Sequence, residues 1–587
     1  MKKIIVCLLA ILMVFQLGCT AQPEVDEVTT EEITEAPEVR VEIGSDYVLI
    51  FSSDDASYEA AYGFSKLYAK ATGYTFKMQK DTFSEPAETA REIVFGKTNR
   101  EEYYSVDYDS LVSDAFVLAL QGERLFVCAG NEAGYDAAFA TFFKETLGIE
   151  DINNMSNQEN ANLSLPEGFA LIAEPSVKLE SDKTASGIAD RVEGASSGAY
   201  NHYTFNENLT YWFDSPVGKD FNSYSLTYST DTYLRGEVTY TMGGEKHSEE
   251  FFLEPGENMS FASLCDNALK GKACESLSSL KFSLIKAKEA SYILEDIAVS
   301  SREVPQSDVV YISDGKYKLG VKLTWGGGVS YLEDLTDGDD SITNLLNDHD
   351  TGRLIQQSYY GTNSAPYEPA KYGENMWCYN PVQGGDQYNN RSKLVDFRIA
   401  EDGRSIWVKC QPLDWAQKNS RTPSYMENTY TIADGLIKVD NRFFDFSGYT
   451  HRNAHQELPA FYTISYLSDF VFYAGDKAWS GSELTVKKDL PFWAGNSNAY
   501  FTLKSKETWG AWVAPNGYGV GVYTPIAEIL LAGRHQYNGS KDAHNSATNY
   551  VAPLITYKLK AFEEFEYSYY ITTGSVEEIR TAFESVK

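Results

Sequence analysis

Apolar positions follow two rhythms along the chain. In the first part, short apolar runs alternate with helical spacing: Tyr47–Phe51 reads as a strand, and Ser57–Ala71 as a helix with Ala60, Phe64, Leu67 and Ala71 on one face. Strand-like Glu92–Phe95 follows, then a hairpin from Phe116 to Ala129 turning at Gly122, then a second helix through Tyr135, Ala138, Phe142 and Phe143. The pattern predicts a small α/β layer over residues 41–172.

Beyond it the period drops to two. Residues 178–301 carry the short β runs Ser223–Ser229, Arg235–Met242, His247–Leu253, Leu280–Ile285 and Tyr292–Val299, with Gly243-Gly244 as a hairpin turn. They predict a β-sandwich. Residues 311–587 carry longer alternating runs, among them Ser405–Lys409, Glu427–Ile432, Leu436–Phe443, Phe461–Tyr466 and Phe565–Ile571, and one terminal helix over Ser575–Ser585. They predict one large antiparallel sandwich. The expected fold class is therefore multidomain α+β, predominantly β.

The N-terminus changes where this fold is expected to work. Lys2, Lys3, an apolar run from Ile4 to Phe15 and then Leu17-Gly18-Cys19 read as an export signal, the run being too short to span a bilayer as a mature helix. The stretch resembles the bacterial lipoprotein signal, with Gly18 as the small residue before the cysteine and Gln16 where an aliphatic residue is usual. That resemblance implies a signal peptide over residues 1–19, a lipid on Cys19, and an extracytoplasmic protein held to the bacterial cell membrane only through that lipid. Residues 20–40 hold Glu24, Asp26, Glu27, Glu31, Glu32, Glu35 and Glu38 with no apolar cluster. Such a stretch cannot offset its ordering entropy and should be an extended, disordered tether.

A net charge of -34 and a pI near 4.6 argue against nucleic acid and anionic membrane surfaces as partners, because both require a basic footprint. Of seven cysteines, only Cys265 and Cys274 are close enough in sequence to suggest a bridge.

The segments AAYGFSKLYAKATGYTF, REIVFGKTNR and DAFVLALQGERLFVCAGNEAGYDAAFATFFKETLG, within about Val41–Leu171, resemble the N-terminal α/β domain of alpha-glucuronidases, which also lies beside the catalytic barrel of beta-hexosaminidases. The resemblance implies an accessory domain without catalytic residues, in a glycan setting. The barrel that should follow is absent, so neither of those two activities is expected. The middle sandwich vaguely resembles jelly-roll modules that bind carbohydrate; a spacer and a sugar-binding module both fit, and Trp212 with Tyr203 and Tyr211 is core or platform. The C-terminal pattern is similar to the galactose-mutarotase-like supersandwich of sugar epimerases, lyases and hydrolase domains.

Eight of the nine tryptophans and five of the seven histidines fall after residue 311, together with three polar clusters: NLLNDHDTGRLIQQSYYG from Asn344, WCYNPVQGGDQYNNRSK from Trp377, and HRNAHQELPAFY from His451. Rigid β scaffolds display function in such connections. A pyranose has C–H faces that lie on aromatic rings and rim hydroxyls that want Asp, Asn, Gln or Arg. The mixture thus points to an extracellular oligo- or polysaccharide. Asp350, Asp386 and Glu457 are the candidate carboxyls, His349 and His455 the proton-transfer or orienting groups, and Arg353 the anchor for a hydroxyl or carboxylate. Gln357, Tyr359, Tyr360, Trp377, Asn380, Gln383 and Trp415 are candidate substrate contacts, with Trp479, Trp493, Trp509 and Trp512 as further ring platforms. If Leu354–Tyr360 is a strand, alternation puts Arg353, Ile355, Gln357 and Tyr359 on one face and Leu354, Gln356, Ser358 and Tyr360 on the other.

These sets fit a glycoside hydrolase or a polysaccharide lyase; a non-catalytic glycan-binding lipoprotein and a structural surface protein remain as alternatives. No cofactor is expected. His451-xxx-His455-x-Glu457 has a metal-like spacing, but Pro459 and the following strand pattern argue against the helix it needs. Asp334, Asp337, Asp339 and Asp340 fit either calcium or a solvated turn. A monomer is expected.

Overall fold

Strand Val48–Phe51 runs parallel to Lys77–Lys80 on one side and to Glu92–Phe95 on the other, and Glu92–Phe95 in turn runs parallel to Arg124–Ala129. The antiparallel strands Phe116–Gln121 and Ala170–Ala173 complete a six-stranded sheet. The computed structural model from which this is read describes residues 39–587 apart from 53, 84–85, 88, 109–110, 112–114, 153–154, 156–162, 174–183, 187–188, 198–201, 219, 337–342, 350–353, 362–378, 493–499 and 536–546.

Helices Asp55–Thr72 and Glu132–Leu147 pack on one face of this sheet around Phe64, Phe139, Phe142 and Phe143. Asp54 caps the first, accepting the Ser57 N–H at 2.7 Å, and Gly73 ends it in the left-handed conformation that glycine adopts without strain. In the second helix a Cβ on Gly134 would lie 2.7 Å from the Ala115 carbonyl oxygen and 2.9 Å from Ala129 Cβ. Glycine to alanine normally favours a helix. Here Gly134→Ala should instead destabilise by about 1–3 kcal/mol, read as a lower denaturant midpoint, because backbone must move to admit the methyl group.

Two antiparallel sheets, of five and six strands, form the middle sandwich. Leu209, Val238, Leu280 and Phe282 from one sheet meet Leu226, Tyr292, Ile297 and Val299 from the other. The turn at Gly243-Gly244 joins Leu234–Met242 to Glu245–Leu253, both glycines having positive φ. Cys265 and Cys274 are buried here as free thiols rather than bridged. Tyr211 is core, and the Trp212 indole donates to Glu193 at 3.0 Å.

The C-terminal part is built from sheets of three, seven and nine strands over one large apolar core. Helix Val576–Glu584 closes it, capped by Ser575 and Glu578 in a reciprocal capping box. This part docks on the sandwich through apolar contact: Val395, Tyr425, Phe444 and Phe446 join the sandwich core, and the Tyr425 hydroxyl accepts the Phe252 N–H at 2.8 Å. At the same junction the Lys393 ammonium donates to Glu249, and Arg421 forks onto Asp266 at 2.8 and 2.9 Å. Among the described residues no helix is long and apolar enough to cross a membrane.

Candidate functional site

Glu457 lies on strand Asn453–Ile464 of the seven-stranded sheet, opposite Ser358 on one neighbour and Leu554 on the other. Its Oε1 accepts the Tyr550 hydroxyl at 2.5 Å and the Tyr360 hydroxyl at 3.2 Å. Tyr462 stands opposite Tyr550, their ring centres 4.8 Å apart, and Tyr500 adds a third ring 6.1 Å from Tyr550. Simple alternation would put Glu457 and Tyr462, five residues apart, on opposite faces. A bulge between Glu457 and Phe461 adds a residue to the strand and turns both to the same side.

Burial pushes the Glu457 carboxyl above the usual carboxylate range, while hydrogen bonds from Tyr550, Ser358 and Tyr360 act in the opposite sense. Tyr360 and Tyr550 are pushed well up, first by burial and then by the Glu457 charge, so both remain hydroxyl donors. The result is a half-buried carboxyl with a raised pKa, fixed by phenols on a tyrosine-rich sheet face. His455, two residues along the same strand, is exposed and meets the Thr556 hydroxyl at 3.2 Å. Strand geometry sets it roughly 7 Å from Glu457.

Most other expected site residues do structural work. Gln357 and Tyr359 are fully buried: the Gln357 amide donates to the Glu427 carbonyl and Asn428 and accepts the Tyr359 hydroxyl at 2.7 Å, while the Tyr359 ring packs on Phe443. Gln383, also fully buried, donates to the Gly326 carbonyl at 3.0 Å, and Asn380 to the Tyr359 carbonyl at 2.7 Å. Asp386 is buried. Its carboxylate is consumed by the N–H groups of Tyr388, Asn390 and Asn419 and the Asn390 amide, which together fix a turn. The half-buried Trp415 exchanges backbone bonds with Asn380 and Gln387. Trp509 and Trp512 are core; Trp479 is half-buried against Tyr523.

His349 and Asp348 line a separate cavity that contains neither Glu457 nor Tyr360. His451 is not a partner of His455 in a metal site: it is buried, its Nε2 2.7 Å from Asp445, which also accepts from Tyr379 and Ser447. Asp334 serves a turn, accepting from Thr336, Tyr518 and Thr573. Among the described residues no group of three or more His, Cys, Asp or Glu is placed to hold a metal ion. Asp350, Arg353, Trp377, Trp493, Cys19 and the acids Asp337, Asp339 and Asp340 lie outside the described residues.

Sequence reasoning missed Tyr550, Ser358, Tyr462 and Tyr500. Tyr550 carried a usable signal, since Tyr550, Ala552 and Leu554 alternate onto one face of strand Thr548–Lys558. Tyr462 falls within the cluster that starts at His451, but alternation puts it on the wrong side because the bulge reverses it.

No family model matches the sequence, and no curated protein matches it. Solved structures with some likeness include a putative aldose 1-epimerase from Escherichia coli K12, at 11% identity and a TM-score of 0.31 over 46% of this chain and 99% of that one. A galactose mutarotase-like protein from Lactobacillus casei is 11% identical, with a TM-score of 0.29 over 45% of this chain and 100% of its own. A GH36 alpha-galactosidase from Geobacillus stearothermophilus is 12% identical, with a TM-score of 0.29 over 46% and 40% of the two chains. At these values they are likenesses alone and assign no role to any residue of this chain.

Proposed function

We propose that this protein is a carbohydrate-active enzyme, a glycoside hydrolase or a polysaccharide lyase, in which Glu457 transfers a proton to or from a glycan lying on the tyrosine face. The observation that carries the reading is the Glu457 carboxyl itself, raised by burial and aimed by the hydroxyls of Tyr550 and Tyr360. Tyr462 and Tyr500 supply ring surface for the C–H faces of a sugar, and His455 is the second proton-transfer group within reach along the strand. The lipoprotein-like N-terminus supports a protein tethered through Cys19 outside the cytoplasm, working on an extracellular oligo- or polysaccharide as a monomer and without a cofactor.

A glycan screen scored for two products separates the classes: new reducing ends together with a conjugated double bond at the new non-reducing ends mark a lyase, reducing ends alone a hydrolase. Binding of a glycan with neither product would leave the non-catalytic capture reading, which the row Tyr462, Tyr550 and Tyr500 also favours.

The pH dependence follows from the raised carboxyl. A carboxyl raised in the fold stabilises it fully below its unfolded pKa, about 4.3 for Glu, and that contribution is lost as pH rises through the folded value. Acting as a proton donor, the group loses activity over the same interval, so the alkaline limb of kcat/KM should lie above the ordinary carboxylate range. Tyr550→Phe removes a hydrogen bond that lowers the pKa and should move this limb to still higher pH. A limb that stays in place would remove Glu457 as the titrating group.

A further inference from the structure

The crevice that holds Asp348 and His349 has an architecture of its own. Strands Val48–Phe51, Lys77–Lys80 and Glu92–Phe95 run parallel, so their carboxyl ends emerge on one edge and bring Ser52, Asp54, Lys80, Asp81 and Lys97 together. That edge of an open α/β sheet is where ligands are usually held. Across the gap stand Tyr311 and Tyr331 from the three-stranded sheet, and the loop through Asp348 and His349. The crevice, open to solvent along its lip, has a volume of about 390 Å³, within the range of small-molecule sites.

Two features give this space a chemical preference. Tyr311 and Tyr331 flank Gly320 across three paired strands and meet edge to face, 5.3 Å apart at 89°, and Tyr311 keeps 46% of its surface exposed. The Lys318 ammonium lies 4.5 Å over the Tyr311 ring, and the ring surface left open to the concavity suits the C–H face of a sugar. The polar groups, meanwhile, are balanced. Asp54 is fixed by the Ser57 N–H at 2.7 Å and by the hydroxyls of Ser57 and Ser52, and Asp81 by the N–H groups of Thr82 and Asn99. With Asp348 they set three carboxylates against the ammonium groups of Lys80 and Lys97. Lys318 over Tyr311 adds a third ammonium group, so among the described residues the charges balance and favour no anion, whereas the mixture of donors and acceptors matches hydroxyls.

We propose that this crevice is a second saccharide site, distinct from Glu457, that takes one or two units of a neutral sugar, with a ring against Tyr311 and hydroxyls on Lys80, Lys97, Asp348 and His349. It gives the α/β part a share in holding the glycan and does not depend on any chemistry at Glu457.

The test uses the whole protein with cellobiose, lactose and glucuronic acid as probes, followed by saturation-transfer NMR and titration, each variant first checked for an unchanged melting temperature. Wild type and the double variant Tyr462→Ala, Tyr500→Ala, which strips the rings from the Glu457 face, should both bind a neutral probe with a Kd of about 1 mM or tighter. In that double-variant background Thr343→Trp, at the exposed lip, should abolish the binding, and Lys97→Ala with His349→Ala should weaken it at least about tenfold, roughly 1.4 kcal/mol. Undiminished binding in both variants, binding of glucuronic acid alone, or no saturable binding of any probe to wild type would each overturn the proposal. Turnover that survives in Glu457→Gln would remove Glu457 as the proton-transfer group and leave this proposal standing.

Discussion

Glu457→Gln lowers turnover of the glycan by about 10²–10⁴-fold and changes its binding only a few-fold; this is the expected result if the carboxyl moves a proton in the transition state. The amide is nearly isosteric and its oxygen still accepts from Tyr550 and Tyr360, so the tyrosine face should keep its shape. What it loses is the exchangeable proton. The measurement is kcat and KM on whichever glycan the screen identifies, with the melting temperature as a control for folding. Full activity in a folded Glu457→Gln would place the chemistry elsewhere.

A second large effect is expected far from that site, at the junction of the sandwich with the C-terminal sheets. The side chains of Lys393 and Glu249 are only 4% and 1% exposed, and Glu249 also accepts from the Tyr240 hydroxyl and the Asp266 N–H. Lys393→Ala leaves a buried carboxylate without its ammonium partner and should cost about 3–5 kcal/mol. The double variant Lys393→Met, Glu249→Gln removes both charges and keeps an acceptor for Tyr240, so most of the loss should be recovered. Denaturant unfolding of the three proteins decides this. A Lys393→Ala within about 1 kcal/mol of wild type would mean that the pair behaves as a solvated surface bridge.

How much of this was legible in the sequence depends on how local the physics is. Helix Asp55–Thr72 begins two residues before the expected Ser57, because the capping Asp54 was not weighed, and the strand around Gly243-Gly244 extends only slightly beyond its expected ends. Periodicity and turn chemistry are written within a dozen residues, so they survive without tertiary knowledge. The splitting of the Asn344–Gly361 cluster was legible for the same reason: Gln357 and Tyr359 go inward, while Ser358 and Tyr360 face Glu457.

Polarity alone does not separate a ligand contact from an internal one. Gln357, Gln383 and Asn380 fit hydroxyl partners of a ligand by residue type, and in the fold their amides donate to Asn428, Gly326 and Tyr359, groups that are distant in the chain. A buried amide with filled hydrogen bonds and an exposed one awaiting a ligand look alike in a sequence. Asp386 differs in that most of its partners are local, the N–H groups of Tyr388 and Asn390 and the Asn390 amide, with only the Asn419 N–H coming from 33 residues away. The environment of Glu457 was the least legible part, since Tyr550 lies 93 residues away in the chain.

The extra residue between Glu457 and Phe461 has a consequence for how such a face arises. Along a regular strand, chemistry is assigned by odd and even position, and changing it means changing residues one at a time. Here the count of residues decides it. One unpaired position lets a carboxyl from one parity share a surface with a phenol from the other, so the length of a single strand, and not the identity of any one side chain, brings the acid and the ring together.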